Sequence, residues 1–384
     1  MKLITNNADL AAFCERLADA PFIAVDTEFM RETTYWPKLC LIQAASTEEA
    51  ECIDPLAPGL DLDPFLRLLE NTAVTKVFHA ARQDIEIFNN LGSIPSPLFD
   101  TQIAAMAAGY GDQVSYDSLV RQMLKKDIDK ASRFTDWSRR PLSDAQVKYA
   151  LADVVHLAAL YPKLRERLEK DGRLVWVAEE MAALANPALY DTSPELAWKR
   201  LKPRRHTARY LAAFKATAAW RERTAQERDQ PRQRILKDEA IDEIATQGPT
   251  DTEGFERLRS VPRGFANSKY GADLIATLRE VLQDPDAHAP KVERPAAQQT
   301  PPGAVVELLK VLLKARSEDA KVAPKLIATV ADLEQIALDD RADVEALTGW
   351  RRKVFGEDAL KLKRGELALV LEGARVRVVE LEPE

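Results

Sequence analysis

Several features are missing from this chain, and each absence removes a class of protein. Only three cysteines, Cys14, Cys40 and Cys52, occur in 384 residues, and none are spaced C-x-x-C. That excludes a disulfide framework and a cysteine-held zinc site. No apolar run approaches the roughly 20 residues needed to span a bilayer. The first residues, MKLITNNADLAAFCERL, lack the apolar stretch of a secretory leader and read as a short strand followed by an amphipathic helix. A cytoplasmic protein without membrane association is therefore expected. An excess of positive charge is missing too, since the formal net charge is −7. That average hides a basic stretch from Lys199 to Leu236, where 12 Lys or Arg face 3 Asp or Glu.

The length exceeds that of a usual single domain, so two or three are expected. Residues 1–190 alternate strand-like runs, Phe22–Asp26, Leu39–Ala45, Ala50–Ile53 and Val74–Phe78, with helical patterns near Pro64–Glu70, Ala80–Asn90 and Ser143–Glu169. This mixture implies an α/β domain, a sheet packed between helices. Beyond Ser193 helical patterns take over, apart from a late RVRVVEL. A first helical domain is expected over 205–285. The Pro- and Ala-rich stretch within Asp284–Gly303 gives a linker over 286–303. A second helical domain is expected over 304–384, helical to about Gly373.

The chemistry-bearing residues lie in three segments: Asp26 and Glu28 in AVDTEF, Asp84 in FHAARQDIEIF, and Tyr149 with Asp153 in YALADV. Asp26 and Glu28, two apart on a predicted strand, leave the same face, and the residue between them must point the other way. Tyr149 and Asp153, four apart, share a helix face. That helix starts at an S-x-x-Q capping box, Ser143 to Gln146, which sets its phase. Alone, each piece has an ordinary reading: a polar strand end, a solvated helix residue, a tyrosine capping the core. Together and in this order they supply convergent carboxylates. Phosphodiester hydrolysis uses such a set to hold two hard cations about 4 Å apart, one near the attacking and one near the departing oxygen.

The D-x-E, D and Y-x-x-x-D segments resemble the DEDDy branch of the 3′–5′ exonucleases. VDTEFMRETTYWPKLCLIQ from Val25 to Gln43, with the later DWSRRPLS, is similar to the ribonuclease D family within it. Downstream, Trp220-Arg221-Glu222, Ala225 and Asp229-x-Pro231-Arg232 resemble the HRDC helical module. Leu347-Thr348-Gly349-Trp350-Arg351 with Phe355-Gly356 and Ala359-Leu360 resemble a second copy. The resemblance implies an RNase H-like exonuclease domain with a mixed, mostly five-stranded sheet, followed by two all-α HRDC-like bundles. It also implies that Asp26, Glu28, Asp84 and Asp153 hold two Mg²⁺ or Mn²⁺ ions while Tyr149 orients or deprotonates the attacking water. The expected activity is trimming of RNA 3′ ends, such as those of transfer-RNA precursors or other structured RNAs with 3′ tails, with release of nucleoside 5′-monophosphates. No protein partner is expected. A DNA exonuclease and a non-catalytic RNA-binding relic are the rivals; the intact set of five residues argues against the relic.

Weaker substrate-binding candidates accompany these five. Phe29 is placed to stack on a terminal base or to fill the core. His79 is a phosphate contact or a structural histidine. Trp137 and Arg140 line the site or fix the DWSRRPLS loop. Arg204, Arg205 and Arg209 head the basic stretch, read as a phosphate-binding surface or a solvated helix face.

Overall fold

Short contiguous apolar runs, buried along most of their length, become strands. In the computed structural model, which describes residues 3–129, 135–291 and 300–381, β1 (Leu3–Ile4), β2 (Phe22–Met30), β3 (Lys38–Ala45), β4 (Ala50–Ile53), β5 (Thr75–Phe78) and β6 (Leu98–Asp100) form one sheet in the order β1-β4-β3-β2-β5-β6. The sheet is mixed, with β5 parallel to β2 and β6, and β4 antiparallel to β3. It has six strands where five were expected. The addition, β6, is three residues long, too short to carry a visible alternation.

The chain divides into two compact units. One comprises Met1–Glu28, Cys40–Leu189 and Gln298–Glu384; the other comprises Phe29–Leu39 and Tyr190–Ala297. In the first, helices α1 (Asn7–Ala18), α2 (Asp63–Glu70), α3 (Arg82–Asn90), α4 (Thr101–Ala107), α5 (Tyr116–Leu124), α6 (Asp144–Lys170) and α7 (Leu174–Leu184) accompany the sheet. The capping box forms: the Ser143 amide donates to Gln146 Oε1 at 3.0 Å, and the Gln146 amide donates to Ser143 Oγ at 3.3 Å. Two N–H groups without helical partners are satisfied there, which fixes the register of α6. Asp100, buried at the end of β6, accepts from the amides of Ala80 (3.0 Å), Ala81 (2.8 Å) and Gln102 (2.7 Å). One carboxylate thus ties the turn that leads from β5 into α3 and caps α4.

The C-terminal block joins this same core. Val306, Leu309 and Leu313 from the helix Gly303–Ala320 belong to the same buried cluster as Val177 and Met181 of α7. Trp350 stacks on Trp176 with ring centroids 4.3 Å apart. Arg173 donates to the carbonyls of Ala107 (2.7 Å) and Ala320 (2.6 Å), and Arg351 pairs with Glu180. The block is not all-helical, which corrects the expectation. Leu367–Glu372 (β7) and Arg375–Glu380 (β8) pair as an antiparallel hairpin, and only their Leu369 and Val378 side, with Leu367, is drawn towards the core. Pairing with the valine-rich β8 overrides the helical reading of Leu367–Glu372, whose own residues are mostly helix formers.

In the second unit, α8 (Ala208–Glu227) and the helices Asp238–Gln247 and Lys269–Val281 enclose Phe214, Trp220, Ile241, Ile244, Phe255 and Leu278. Pro285–His288 is also helical, so the segment expected to be a linker starts as structure; residues 292–299 within it lie outside the described residues. Residues 29–39 are held by polar groups of the same unit. Asp229 Oδ1 accepts from the amides of Tyr35 and Trp36, each at 3.0 Å. The Tyr35 hydroxyl donates to Glu222 and accepts from Arg232 (2.8 Å) and Gln226 (3.0 Å). Glu222, only 1% exposed, also pairs with Arg200 and Arg232. Burial alone would raise its pKa, but the bonds from Arg232 and Tyr35 and the charges of both arginines hold it below the usual carboxylate value.

Candidate active site

The alternation of β2 sends Asp26 and Glu28 to one face, and the register of α6 brings Asp153 towards them. One carboxylate oxygen from each of the three lies within 4.8 Å of the others. Asp84, in the first turn of α3, is buried and approaches from beneath. Its Oδ1 accepts the hydroxyl proton of Thr27 at 2.5 Å, the residue between Asp26 and Glu28 whose side chain points away from theirs. The electrostatics are unfavourable to an empty site. Burial pushes the Asp26 carboxyl up to about 6. Asp84 is raised well above the ordinary value by burial and then by the nearby charge of Asp26, with Asp100 adding to it. Among the described residues, no Lys or Arg is a cause acting on either carboxyl. Oxygen-only donors that repel one another in a buried cluster are what a hard divalent cation requires. The residues therefore fit the ions expected from the sequence.

Tyr149 lies one turn before Asp153 on α6, its ring 6.1 Å from that of Trp137. Trp137 is buried and packs beside it. A further tyrosine went unnoticed in the sequence. Tyr116, at the start of α5, donates its hydroxyl to the backbone carbonyl of Asp153. Burial, followed by the charges of Asp153 and Asp26 and the proximity of Tyr149, raises its pKa well above 10.0. No spacing or motif in the sequence ties residue 116 to the carboxylates.

The weaker candidates divide. Arg140 donates to Asp54 through Nε (2.7 Å) and Nη2 (2.6 Å), and to the carbonyls of Cys40 (2.6 Å), Trp137 (2.8 Å) and Arg139 (2.8 Å). Its guanidinium is committed to anchoring the loop before α6. His79 Nδ1 lies 3.0 Å from Thr101 Oγ1, and its ring packs on Tyr116 with centroids 5.2 Å apart. Burial lowers its pKa against the pull of Asp100. A neutral histidine is a poor phosphate ligand. Phe29 and the three arginines lie in the second unit. There Arg204 lies 3.6 Å from Asp242, and Arg209 donates to the carbonyl of Gly248 at 3.4 Å. Arg205 is exposed.

Comparison with known proteins fits this geometry. The family model for the 3′–5′ exonuclease matches residues 1–169, and that for the HRDC domain matches residues 211–278. Ribonuclease D of Granulibacter bethesdensis is 53% identical over 379 residues, covering 98% of this chain and 96% of that protein. Ribonuclease D of Nitrobacter hamburgensis is likewise 53% identical, covering 99% of this chain and 100% of its own. Among solved structures, Escherichia coli RNase D, an exoribonuclease involved in structured RNA processing, superposes with a TM-score of 0.81. It is 29% identical and covers 94% of this chain and 98% of its own.

Proposed function

Because the chain belongs to the ribonuclease D family and is a 3′–5′ exoribonuclease, we propose that it trims the 3′ ends of structured RNA precursors, those of transfer RNAs among them, and releases nucleoside 5′-monophosphates. The observation that carries this reading is the cluster of Asp26, Glu28 and Asp153 beside buried Asp84. We assign these four carboxylates to two divalent ions, Mg²⁺ or Mn²⁺. When bound, such ions supply the charge that activates a water and stabilises a departing oxygen.

The remaining work falls to the chain's own groups. Tyr149 presents its hydroxyl on the α6 face it shares with Asp153. An unperturbed tyrosine has a pKa of about 10 and is a poor base at neutral pH, so its role is to hold the attacking water in line. Trp137 limits where the Tyr149 ring can go. Tyr116 pins the α6 backbone at Asp153, which keeps that carboxylate in register with β2. We assign the block 303–381 to a second HRDC-like module, modified by its terminal hairpin and absorbed into the nuclease core. The cell compartment we propose is the cytoplasm. Among the described residues, no helix is long and apolar enough to cross a membrane.

Matched single-stranded RNA and DNA oligonucleotides, with and without Mg²⁺, test the reading. Stepwise release of 5′-monophosphates from the RNA 3′ end, abolished by chelation, is expected. Equal rates on DNA would overturn the RNA preference, and turnover in chelator would overturn the metal assignment. A precursor carrying a 3′ extension past a stable stem tests the substrate class, with trimming expected to stop near the stem.

A further inference from the structure

The D-x-E arrangement leaves its middle residue facing away from the two carboxylates it separates, and here that residue is Thr27. It is 6% exposed, and its Oγ1 lies 2.5 Å from Asp84 Oδ1. The pair is 57 residues apart in sequence and joins the catalytic strand to α3. Asp84 itself is 8% exposed, and Asp26 and Asp100 act on it as like charges. Without a donor on that side, mutual repulsion would turn the carboxylate away from Asp26, with which it would hold the proposed ions. A hydroxyl on one oxygen fixes the carboxylate plane and leaves Oδ2 for a cation. Valine at the same position would fill the same space but could not do this.

We propose that Thr27 is a positioning residue for the metal site. Its hydroxyl sets the rotamer of Asp84, and it determines how tightly the ion shared by Asp26 and Asp84 is held. The inference rests on the assignment of Asp84 as a metal ligand. Groups that orient metal ligands typically contribute about 10–100-fold to metal affinity or activity.

The test is Mn²⁺ binding to the full-length protein, followed by calorimetry and by electron paramagnetic resonance, alongside turnover as a function of Mg²⁺. Thr27→Val keeps the shape and removes the hydroxyl. It is expected to weaken one Mn²⁺ about 10–100-fold, leave the other unchanged, and raise the Mg²⁺ concentration for half-maximal rate in step. Thr27→Ser removes a methyl and keeps the hydroxyl, so it should return both readouts towards the parent. A thermal melt in chelator confirms that each variant is folded. An unchanged Mn²⁺ isotherm for Thr27→Val, with a site lost in Asp84→Asn, would overturn the inference and leave the ligand assignment standing. If Asp84→Asn also binds two Mn²⁺ with parental affinity, the ligand assignment itself fails, and this inference with it. A Thr27→Ser variant as impaired as Thr27→Val would mean that packing, not the hydroxyl, is what matters.

Discussion

The two compact units each bury carboxylates, and they treat them in opposite ways. In the second unit Glu222 is almost wholly enclosed, yet Arg200, Arg232 and Tyr35 all reach it, and its pKa lies below the ordinary value. In the first unit Asp84 is buried and Asp26 partly so, no Lys or Arg among the described residues is a cause acting on them, and both are raised. A carboxylate whose charge the chain neutralises itself is a structural part. One whose charge the chain leaves uncompensated marks a place for a cation from outside, and burial with an uncompensated charge in a cleft is a mark of a functional site. The same contrast separates the basic residues. Much of the positive run in the second unit is spent internally, on Glu222, Asp238 and Asp242.

The largest test of this contrast removes charge from each side. On the proposed ligand assignment, Asp26→Asn or Asp153→Asn deprives an ion of a ligand and of several kcal/mol of transition-state stabilisation, so turnover should fall about 10³–10⁵-fold. Melting temperature in chelator should hold or rise, because like-charge repulsion is relieved. Near-parental turnover in either variant would break the comparison at its catalytic end. Tyr149→Phe should lower the single-turnover rate by about 10²–10⁴-fold, the usual size of acid–base or water-positioning assistance. Its Mn²⁺ isotherm should match the parent, since the hydroxyl is assigned to water and not to metal. A weakened isotherm would place Tyr149 among the ligands.

Glu222→Gln should do the reverse. Losing one member of a fully buried pair costs about 3–5 kcal/mol. Arg200 and Arg232 keep about a third of their side chains exposed, which puts the expected loss nearer ~2–3 kcal/mol. Denaturant melts report it, and Mn²⁺ affinity should not change. If metal affinity fell with stability intact, Glu222 would belong with the catalytic carboxylates.

How far the sequence foretold these sites follows from the range of each signal. The convergence of Asp26, Glu28 and Asp153 was legible because strand alternation and a capped helix fix side-chain direction locally, over two to four residues. Thr27 was legible only as a side chain pointing away. Its partner Asp84 is 57 residues distant, and no local pattern says what meets it. Tyr35 and Glu222, 187 residues apart, were invisible as a pair for the same reason, although Glu222 was noticed as part of a motif. The C-terminal block shows the limit most plainly. Its apolar periodicity foretold helices but not that Trp350 would stack on Trp176, because periodicity identifies a buried face and not the surface that buries it. At the edge of the Pro- and Ala-rich stretch, Pro285 opens a helical turn instead of preventing one.

Titration should separate the two sites without mutation. Asp26 is raised to about 6 from the ordinary 3.8, so the metal-free native state keeps that proton to higher pH than the unfolded chain. Its contribution to stability is complete below about 4 and is lost as pH rises through about 6. Glu222 is lowered, so its contribution is present above about 4.5 and is lost as pH falls through the depressed value. In chelator, the first unit should therefore weaken from pH 4 to 7, and the second only below about 4.5. Hydrogen exchange resolved by segment would read both. Mg²⁺ should reverse the loss at pH 7, and proton release on metal binding should be greatest near pH 5–6. A first unit that gains stability across that range in chelator would contradict the uncompensated charge.

The smallest expected effect concerns the arginines at the head of the basic stretch. Arg204 faces Asp242 and Arg209 is drawn to the Gly248 carbonyl; Arg205 is exposed. Each phosphate contact to single-stranded RNA adds about −0.7 to the slope of log affinity against log salt. If internal pairing consumes positive charge here as it does at Glu222, Arg205→Ala should account for nearly all of the change seen when the three are neutralised together, no more than about 0.7 in slope. Arg204→Ala should then add little, because the Asp242 carboxylate 3.6 Å away offsets its charge. A triple variant whose slope shifts by about 2 would show that all three contact phosphate despite their partners. That result would limit the contrast between the two units to the buried carboxylates and remove it from the surface cations.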